Sequence, residues 1–543
     1  MAVNRRTFLG LAAASLWLPP LGGRLLASRG RRLPSGGRLR QAPAIVSAPG
    51  AKPQLPLGVS AGDVGGGRAV IWSKADRTAR MFVEYSTTER FADARRVRGP
   101  AALETSNFTT RLTLTDLPPG QRLFYRVLYQ DLSDLRMWSD PVTGSFSTPP
   151  NTAAAARDVS IAWSADTVGQ GWGINVDWGG LRLYETMRRA QPDVFVNVGD
   201  TIYADQPLLP EVRLDNGTLW RNVVTEAKSK VAESIDDFRG CYEYNLADAH
   251  MRRFIADVPQ IVMWDDHEVL DNWYWERRKD DDARYTEKSV AVLAARARQA
   301  FVEYNPLPIF GDDLERIHRS IPLGPLVEVF ALDMRTFKGA NSSNRQPVLD
   351  ASSAILGAGQ LRWLKDSLKR SRALWKVIAA DLPLGNVVGD GQDRYEAVAN
   401  NDPGAPLGRE LEIADLLRYL KRERIGNVVW ITADVHYCAA HEYHPSRARF
   451  TDFDPFWEFV AGPLNAGTFG PNELDATFGP ELKFLGIPPG MKPNRPPSDG
   501  FQFFGMLRVS AKTHALTATL HDLSGRTLFT VELPPAAATD KHG

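Results

Sequence analysis

The stretch "DVFVNVGDTIYAD", residues 193–205, decides how the chain is read. Val194 to Val198 alternates valine with Phe195 and Asn197, the pattern of a buried strand. That strand should end in an ordinary turn. It runs instead into Gly199 and Asp200, with Tyr203 and Asp205 close behind. A carboxylate, a phenol and a second carboxylate therefore fan out from the carboxyl end of one strand.

The same beat recurs beyond Thr152. "DVSIAWSAD" ends in Asp166, and "QIVMWDDHE" ends in Asp265, Asp266, His267 and Glu268. "KVIAADLP" contains Asp381 at its strand end, and "NVVWITADVH" ends in Asp434 and His436. Helical patterns lie between, such as "WGGLRLYETMRRAQP" with Leu181, Leu183, Tyr184 and Met187 at helical spacing. Alternating strands and helices predict layered sheets with helices outside, and such folds bind ligands at the carboxyl ends of their strands. Any one of these aspartates reads equally as an N-cap or a turn residue. Five strands delivering acids and imidazoles to one edge do not. Crowded carboxylates repel and must protonate unless cations sit among them. The convergence predicts a metal centre.

The residue types narrow the metals. Two ions about 3.5–4 Å apart, bridged by a carboxylate, clamp a phosphoryl group during hydrolysis, and Asp200 is placed centrally enough to be that bridge. A phenol with its ordinary pKa of about 10 becomes a ligand at neutral pH only on a strongly Lewis-acidic ion, so Tyr203 points to Fe(3+). The rest of the set is nearly all oxygen, which suits Ca(2+), Mg(2+) or Mn(2+) at a second site.

The earlier part of the chain has another texture. "NRRTFLGLAAASLWLPPLGG" carries Arg5 and Arg6, then Phe8 and Leu9 and a short apolar run broken by Pro19 and Pro20. Residues 1–30 therefore resemble a twin-arginine export signal, and the run is too short to span a bilayer. Residues 31–53, rich in Arg, Gly, Pro and Ala, read as a linker. Over 54–150, "RAVIWSKA", "RMFVEYST", "FTTRLTLTDL", "RLFYRVLYQ" and "GSFSTPP" read as short strands of a fibronectin- or immunoglobulin-like sandwich, with Leu117 and Tyr125 as buried anchors. No acid, His or Cys cluster occurs there. Residues 151–535 form the predicted catalytic region, and 536–543 a tail. The 543 residues carry a formal net charge of only +1, which gives no reason to expect nucleic acid or an anionic membrane as partner. Cys241 and Cys438 are too few for a disulfide framework and read as unpaired buried thiols.

Taken together, "WSADTVGQGWG", "VGDTIYAD", "WDDHEVLDNW", "LDMR" and "TADVHY" resemble the PhoD-like alkaline phosphatase family, and "GDTIY" is similar to an element of the purple acid phosphatases. The resemblance covers about residue 56 to the C-terminus. It implies a four-layer α/β/β/α metallophosphoesterase core preceded by the small all-β sandwich. It also implies metal ligands at Asp166, Asp200, Tyr203, Asp266, Asp434 and His436, with His267 meeting the phosphate or the leaving group. Some relatives carry cysteine where this chain has Asp166. A carboxylate at Asp434, where the wider superfamily has histidine, is consistent with calcium. Asp381 falls near a further superfamily histidine.

Other residues carry two readings each. Arg335 is a clamp on a phosphate oxygen or half of a surface ion pair. Asn272 is an oxygen ligand or orders its loop, and Asp265 joins it as a ligand or a neighbour of ligands. His441 and His444 line the cleft or are solvated, the second being the expectation; "RRKDDDARYTEK" reads as a solvated helix start, and "GDGQDRYEAVANNDPG" as a rim of the site mouth. The expected function is an exported, monomeric phosphatase, periplasmic or secreted, that hydrolyses small phosphate monoesters with metal-activated water and so scavenges phosphate. The alternatives are a phosphodiesterase of phospholipase D type acting on lipid or polymer diesters, and a surface binding module whose metals are structural.

Overall fold

A strand covered on both faces must be apolar on both, and the central strands here satisfy that with two different partners. In Val159–Ser164, Ile161 and Trp163 enter one core while Ala162 enters another; in Val194–Asn197, Val194 and Val196 part from Phe195 in the same way. Val329 and Phe330, Val377 and Ile378, and Val429 and Trp430 repeat the division. The computed structural model, which describes residues 50–536, shows the reason. Two sheets share the core formed by Ile161, Val196, Val329, Val377 and Ile431. Helices Arg182–Ala190, Ile235–Leu246, Ala249–Asp257 and Val290–Tyr304 cover the outer face of the first sheet, and Gly357–Arg370 and Glu410–Arg422 that of the second. The order is helix, sheet, sheet, helix: the four layers expected.

The first sheet has nine strands, in the order Thr527–Leu533, Leu516–Asp522, Phe503–Val509, Val159–Ser164, Val194–Asn197, Gln260–Val262, Val59–Gly65, Arg68–Lys74 and Thr109–Leu114. The second has seven: Arg319–Pro322, Val327–Ala331, Trp375–Ala379, Val428–Thr432, Phe456–Val460, Ala439–Tyr443 and Pro480–Leu485. The strands that end in acids are parallel within each sheet, so their carboxyl ends line up.

The N-terminal strands make a separate four-stranded sheet, Arg95–Ala102, Ala79–Ser86, Arg122–Asp131 and Val142–Ser147, facing the last three strands of the nine-stranded one. Leu117 and Tyr125 are buried in the core between them. Val59–Gly65 joins the catalytic sheet through the parallel pair of Gly62 with Gln260. Neither Val59–Gly65 nor Arg95–Ala102 is evident in the sequence. The first carries Gly62 and Gly65, and the second, "RRVRGPAA", is a basic edge strand with a proline, so both lack the apolar alternation.

Two local expectations are corrected. Residues 277–288 do not start a helix; Arg278 pairs with Asp280 and Arg284 with Asp282 in an irregular loop, and the helix opens at Val290. His441 is not solvated: it is 1% exposed on strand Ala439–Tyr443, its Nδ1 3.1 Å from Glu458. His444 is half-buried and its Nδ1 accepts from Ser446 N. Cys241 and Cys438 are buried and free. Among the described residues no helix is long and apolar enough to cross a membrane. The proposed export signal lies outside the described residues, as do nearly all of the linker and tail.

Local capping fixes the helices under the site. Asp248 accepts from His250 N and Met251 N at the start of Ala249–Asp257, and its other oxygen accepts from Leu181 N. Asp248→Ala should therefore cost about 1–2 kcal/mol in urea unfolding, with the slope of the transition unchanged.

Candidate metal centre

Four strand-end residues leave their strands in the left-handed region: Asp166, Asp200, Asp434 and His436, at φ of 61°, 48°, 61° and 61°. Such backbone costs about 1–3 kcal/mol per residue and is held only where the surroundings enforce it. Gly199, at φ 128°, is required as well, because a Cβ there would lie 2.4 Å from the Asp265 Cβ. The tight crossing brings the ends of two neighbouring strands together.

The side chains converge in three overlapping groups whose ligand atoms lie within 4.8 Å of one another: Asp166, Asp200 and His436; Asp200, Asp266 and His267; Asp265, Asp266 and Asp434. Asp200 is common to the first two, and Asp266 to the last two. Both oxygens of Asp166 are buried with no hydrogen-bond partner, as are Oδ2 of Asp265 and Oδ1 of Asp381. Burial, reinforced by the neighbouring carboxylates, pushes Asp166, Asp200, Asp265 and Asp434 well above the ordinary carboxylate range. Buried oxygens without partners, and carboxylates that can ionise only beside a positive charge, fit metal ions.

The two candidate ligands of other chemistry are His436 and Tyr203. His436 Nδ1 donates to Gly467 O at 2.6 Å, which leaves Nε2 with its lone pair; Tyr203 OH lies 2.9 Å from it. Burial lowers His436 to about 4, so the ring is neutral at pH 7. Burial and the charges of Asp200 and Asp166 push the Tyr203 phenol well above its ordinary value, so without a cation it keeps its proton. His267 stacks on the Tyr203 ring with centroids 4.2 Å apart. Its Nδ1 is 2.7 Å from Asp205 Oδ1, and its backbone N–H donates to Asp200. Burial works against its protonation, but Asp205, Asp266 and Asp200 outweigh it and raise its pKa well above the usual histidine range.

Arg335 stands where no surface ion pair can form. It is 0% exposed and meets four carboxylates: Nε donates to Asp265 at 2.6 Å and to Asp381 at 2.8 Å, Nη1 to Glu396 at 2.7 Å, and Nη2 to Asp434 at 3.1 Å. Burial opposes its charge, and these acids raise its pKa well above the ordinary guanidinium value. Asn272 orders its loop: its N–H donates to Asp266, its side chain to Asp390, and its carbonyl accepts from Asn341.

Three residues are missing from the sequence-derived set. Glu268 is wholly buried, and one carboxylate joins two strand ends, accepting from Asp200 N and Asp265 N on one oxygen and from Thr201 N on the other. Asp205 orients His267. Glu396, in the loop read as a rim, reaches inward to Arg335 and to Lys338. Glu268 and Asp205 stood in the quoted motifs, whereas Glu396 had no local signal.

A family model described as PhoD-like phosphatase matches residues 161–520, and another, PhoD-like phosphatase, N-terminal domain, matches residues 40–150. Alkaline phosphatase D of Bacillus subtilis (strain 168) is 27% identical over 298 residues, 53% of this chain and 48% of that protein; the match thus spans about half the length of the curated relative. Among solved structures, a PhoD structure superposes with a TM-score of 0.65 at 20% identity, over 90% of this chain and 94% of that one. Purple acid phosphatase PPD1 from yellow lupin (Lupinus luteus) seeds gives 0.52 at 12% identity, over 89% and 74%. Both likenesses are of fold.

Two outcomes follow from the geometry. Glu268→Gln turns an amide N–H toward backbone N–H donors; at about 1–3 kcal/mol per unsatisfied group it should destabilise the chain by roughly that much or more and weaken metal retention, as read by urea unfolding and metal analysis. Second, burial raises Glu268 to about 8 and Asp381 to about 6. An unfolded carboxyl titrates at about 4, so the folded metal-free chain holds extra protons between these values. Its stability should be greatest below about pH 4 for these groups and fall as pH rises to about 8. Urea unfolding of chelated protein at stepped pH checks this; bound metal should flatten the slope.

Proposed function

We propose that this chain, which belongs to the PhoD-like phosphatase family, is an exported metal-dependent phosphatase that hydrolyses small phosphate monoesters. The observation that carries the reading is the sharing of Asp200 between two ligand groups while Asp166 keeps both buried oxygens free of partners. In this reading Asp166, Asp200, Tyr203 and His436 would hold Fe(3+), and Asp200, Asp265, Asp266 and Asp434 would hold Ca(2+) or another hard cation. Bound there, the ions would supply Lewis acidity that lowers the pKa of water and neutralises phosphoryl charge.

The protein's own groups have separable tasks. Asp205 accepts from His267 Nδ1 and orients the ring, so Nε2–H is the donor available to a substrate. From there His267 donates to the departing oxygen or stabilises its charge. Arg335 is not a phosphate clamp in this proposal, since carboxylates take its donors; it holds Asp265, Asp381 and Asp434 in register around the ions. The imidazole of His267 beside the ligand groups, held by Asp205, favours catalysis over purely structural metals, whose sites are closed by their own ligands. Export by the twin-arginine route and a role in phosphate scavenging belong to the same proposal and rest on Arg5 and Arg6 with the residues that follow them.

The test separates Asp200 from His267. Asp200→Asn should lose metal and hydrolysis together. His267→Ala should keep most of its metal, shown by analysis and by an intact Tyr203-to-iron absorption band, while turnover of an alkyl phosphate falls about 10²–10⁴-fold. The loss should shrink for a nitrophenyl ester, whose leaving group needs little protonation. Full activity in Asp200→Asn would overturn the reading.

A further inference from the structure

Asp205 holds two groups at once. Its Oδ1 lies 2.7 Å from His267 Nδ1, and its Oδ2 accepts from the backbone N–H of Asp271 at 3.1 Å. The chain after His267 is thereby folded back on the imidazole, and the Asp271 carboxylate is set beside the ring's other nitrogen, with Oδ1 3.9 Å from Nε2. Unlike the acids of the metal centre this one is open to solvent, its side chain 61% exposed. Among the described residues its carboxylate accepts no hydrogen bond and has no lysine or arginine within ion-pair distance. The cations of the following loop are engaged elsewhere. Arg277 donates to the Asp271 carbonyl rather than to its carboxylate, Arg278 pairs with Asp280, and Lys279 and Arg284 both pair with Asp282.

We propose, resting on the hydrolase reading, that Asp271 is a specificity-determining residue that selects phosphate esters whose departing alcohol carries a positive charge, as an ester of an amino alcohol does. With the phosphoryl group held at the metal ligands and the departing oxygen at His267 Nε2, a carboxylate 3.9 Å from that nitrogen borders the alcohol half of the substrate. In an extended chain an ammonium two carbons beyond the ester oxygen lies about 4 Å from it. It can therefore reach Asp271 while the oxygen stays on His267. Opposite charges meeting there make a charge-assisted contact. An alcohol bearing a carboxylate or a further phosphate meets like charge instead, so the same side chain attracts one class of ester and repels another. The backbone bond to Asp205 fixes where that charge stands relative to the imidazole.

Three substrates of similar length test this: 2-aminoethyl phosphate, propyl phosphate and 2-carboxyethyl phosphate, each given to the metal-loaded full chain and to its Asp271→Asn variant. The alcohols differ in intrinsic reactivity, so the quantity read is the change in kcat/KM ratios between the two proteins. Those ratios also cancel any difference in folded fraction or metal content. Asp271→Asn should lower the aminoethyl-to-propyl ratio about threefold to tenfold and raise the carboxyethyl-to-propyl ratio. Asp271→Lys should go further and favour the carboxyethyl ester over the aminoethyl ester, relative to the unaltered chain. Ratios unchanged in both variants would overturn the proposal and leave the hydrolase reading standing. Failure of the unaltered chain to hydrolyse any of the three would overturn both.

Discussion

Negative charge buried beyond the reach of water governs this molecule. Asp166, Asp200, Asp265, Asp266, Asp381, Asp434 and Glu268 are gathered at the ends of parallel strands, and Glu396 reaches in from a loop, against Arg335, Lys338 and His267. Protein cations offset only part of it. The remainder must be met by protons or by metal ions, and those two states have opposite responses to pH. The left-handed strand ends, the close approach at Gly199 and the four-carboxylate grip of Arg335 all serve to hold charges where, unaided, they would separate.

Legibility in the sequence followed the range of the forces involved. The strand ends were readable because an apolar run stopped abruptly at an acid, a signal contained within a few residues. Layered sheets with helices outside were readable from the alternation of such runs with helical patterns, whereas the count of four layers came with the family resemblance. The role of Arg335 was not. Whether an arginine after a strand points to solvent or to four carboxylates depends on residues up to ninety-nine positions away, at Asp434. Glu396 was hidden for the same reason, and its loop looked like a rim because its composition is polar. Glu268 lay in plain sight beside His267, yet its job is to accept from backbone groups on another strand, and side-chain chemistry alone does not announce that.

The centre also distributes its work unevenly. Among the candidate ligands, Asp166, Asp200, Asp434 and His436 sit on left-handed backbone. Three others position them: Glu268 accepts from main chain, Asp205 holds His267, and Arg335 ties carboxylates together. Preorganisation of this kind moves the cost of assembling like charges into folding, where the whole core offsets it, and away from the encounter with substrate.

The seam at Gly62 and Gln260 carries a consequence for the modular picture of the chain. The N-terminal strands read as a bead threaded before the catalytic region, and composition changes at about residue 150. Hydrogen bonding does not change there. Val59–Gly65 covers what would otherwise be the open flank of Gln260–Val262, the strand that leads to Asp265 and Asp266. Cutting the chain at the compositional boundary would bare a row of main-chain donors and acceptors beside the most charged loop in the protein, a template for self-association. The leading segment is therefore the hem of the catalytic sheet, and evolution could exchange it only for another piece of cloth that closes the same edge.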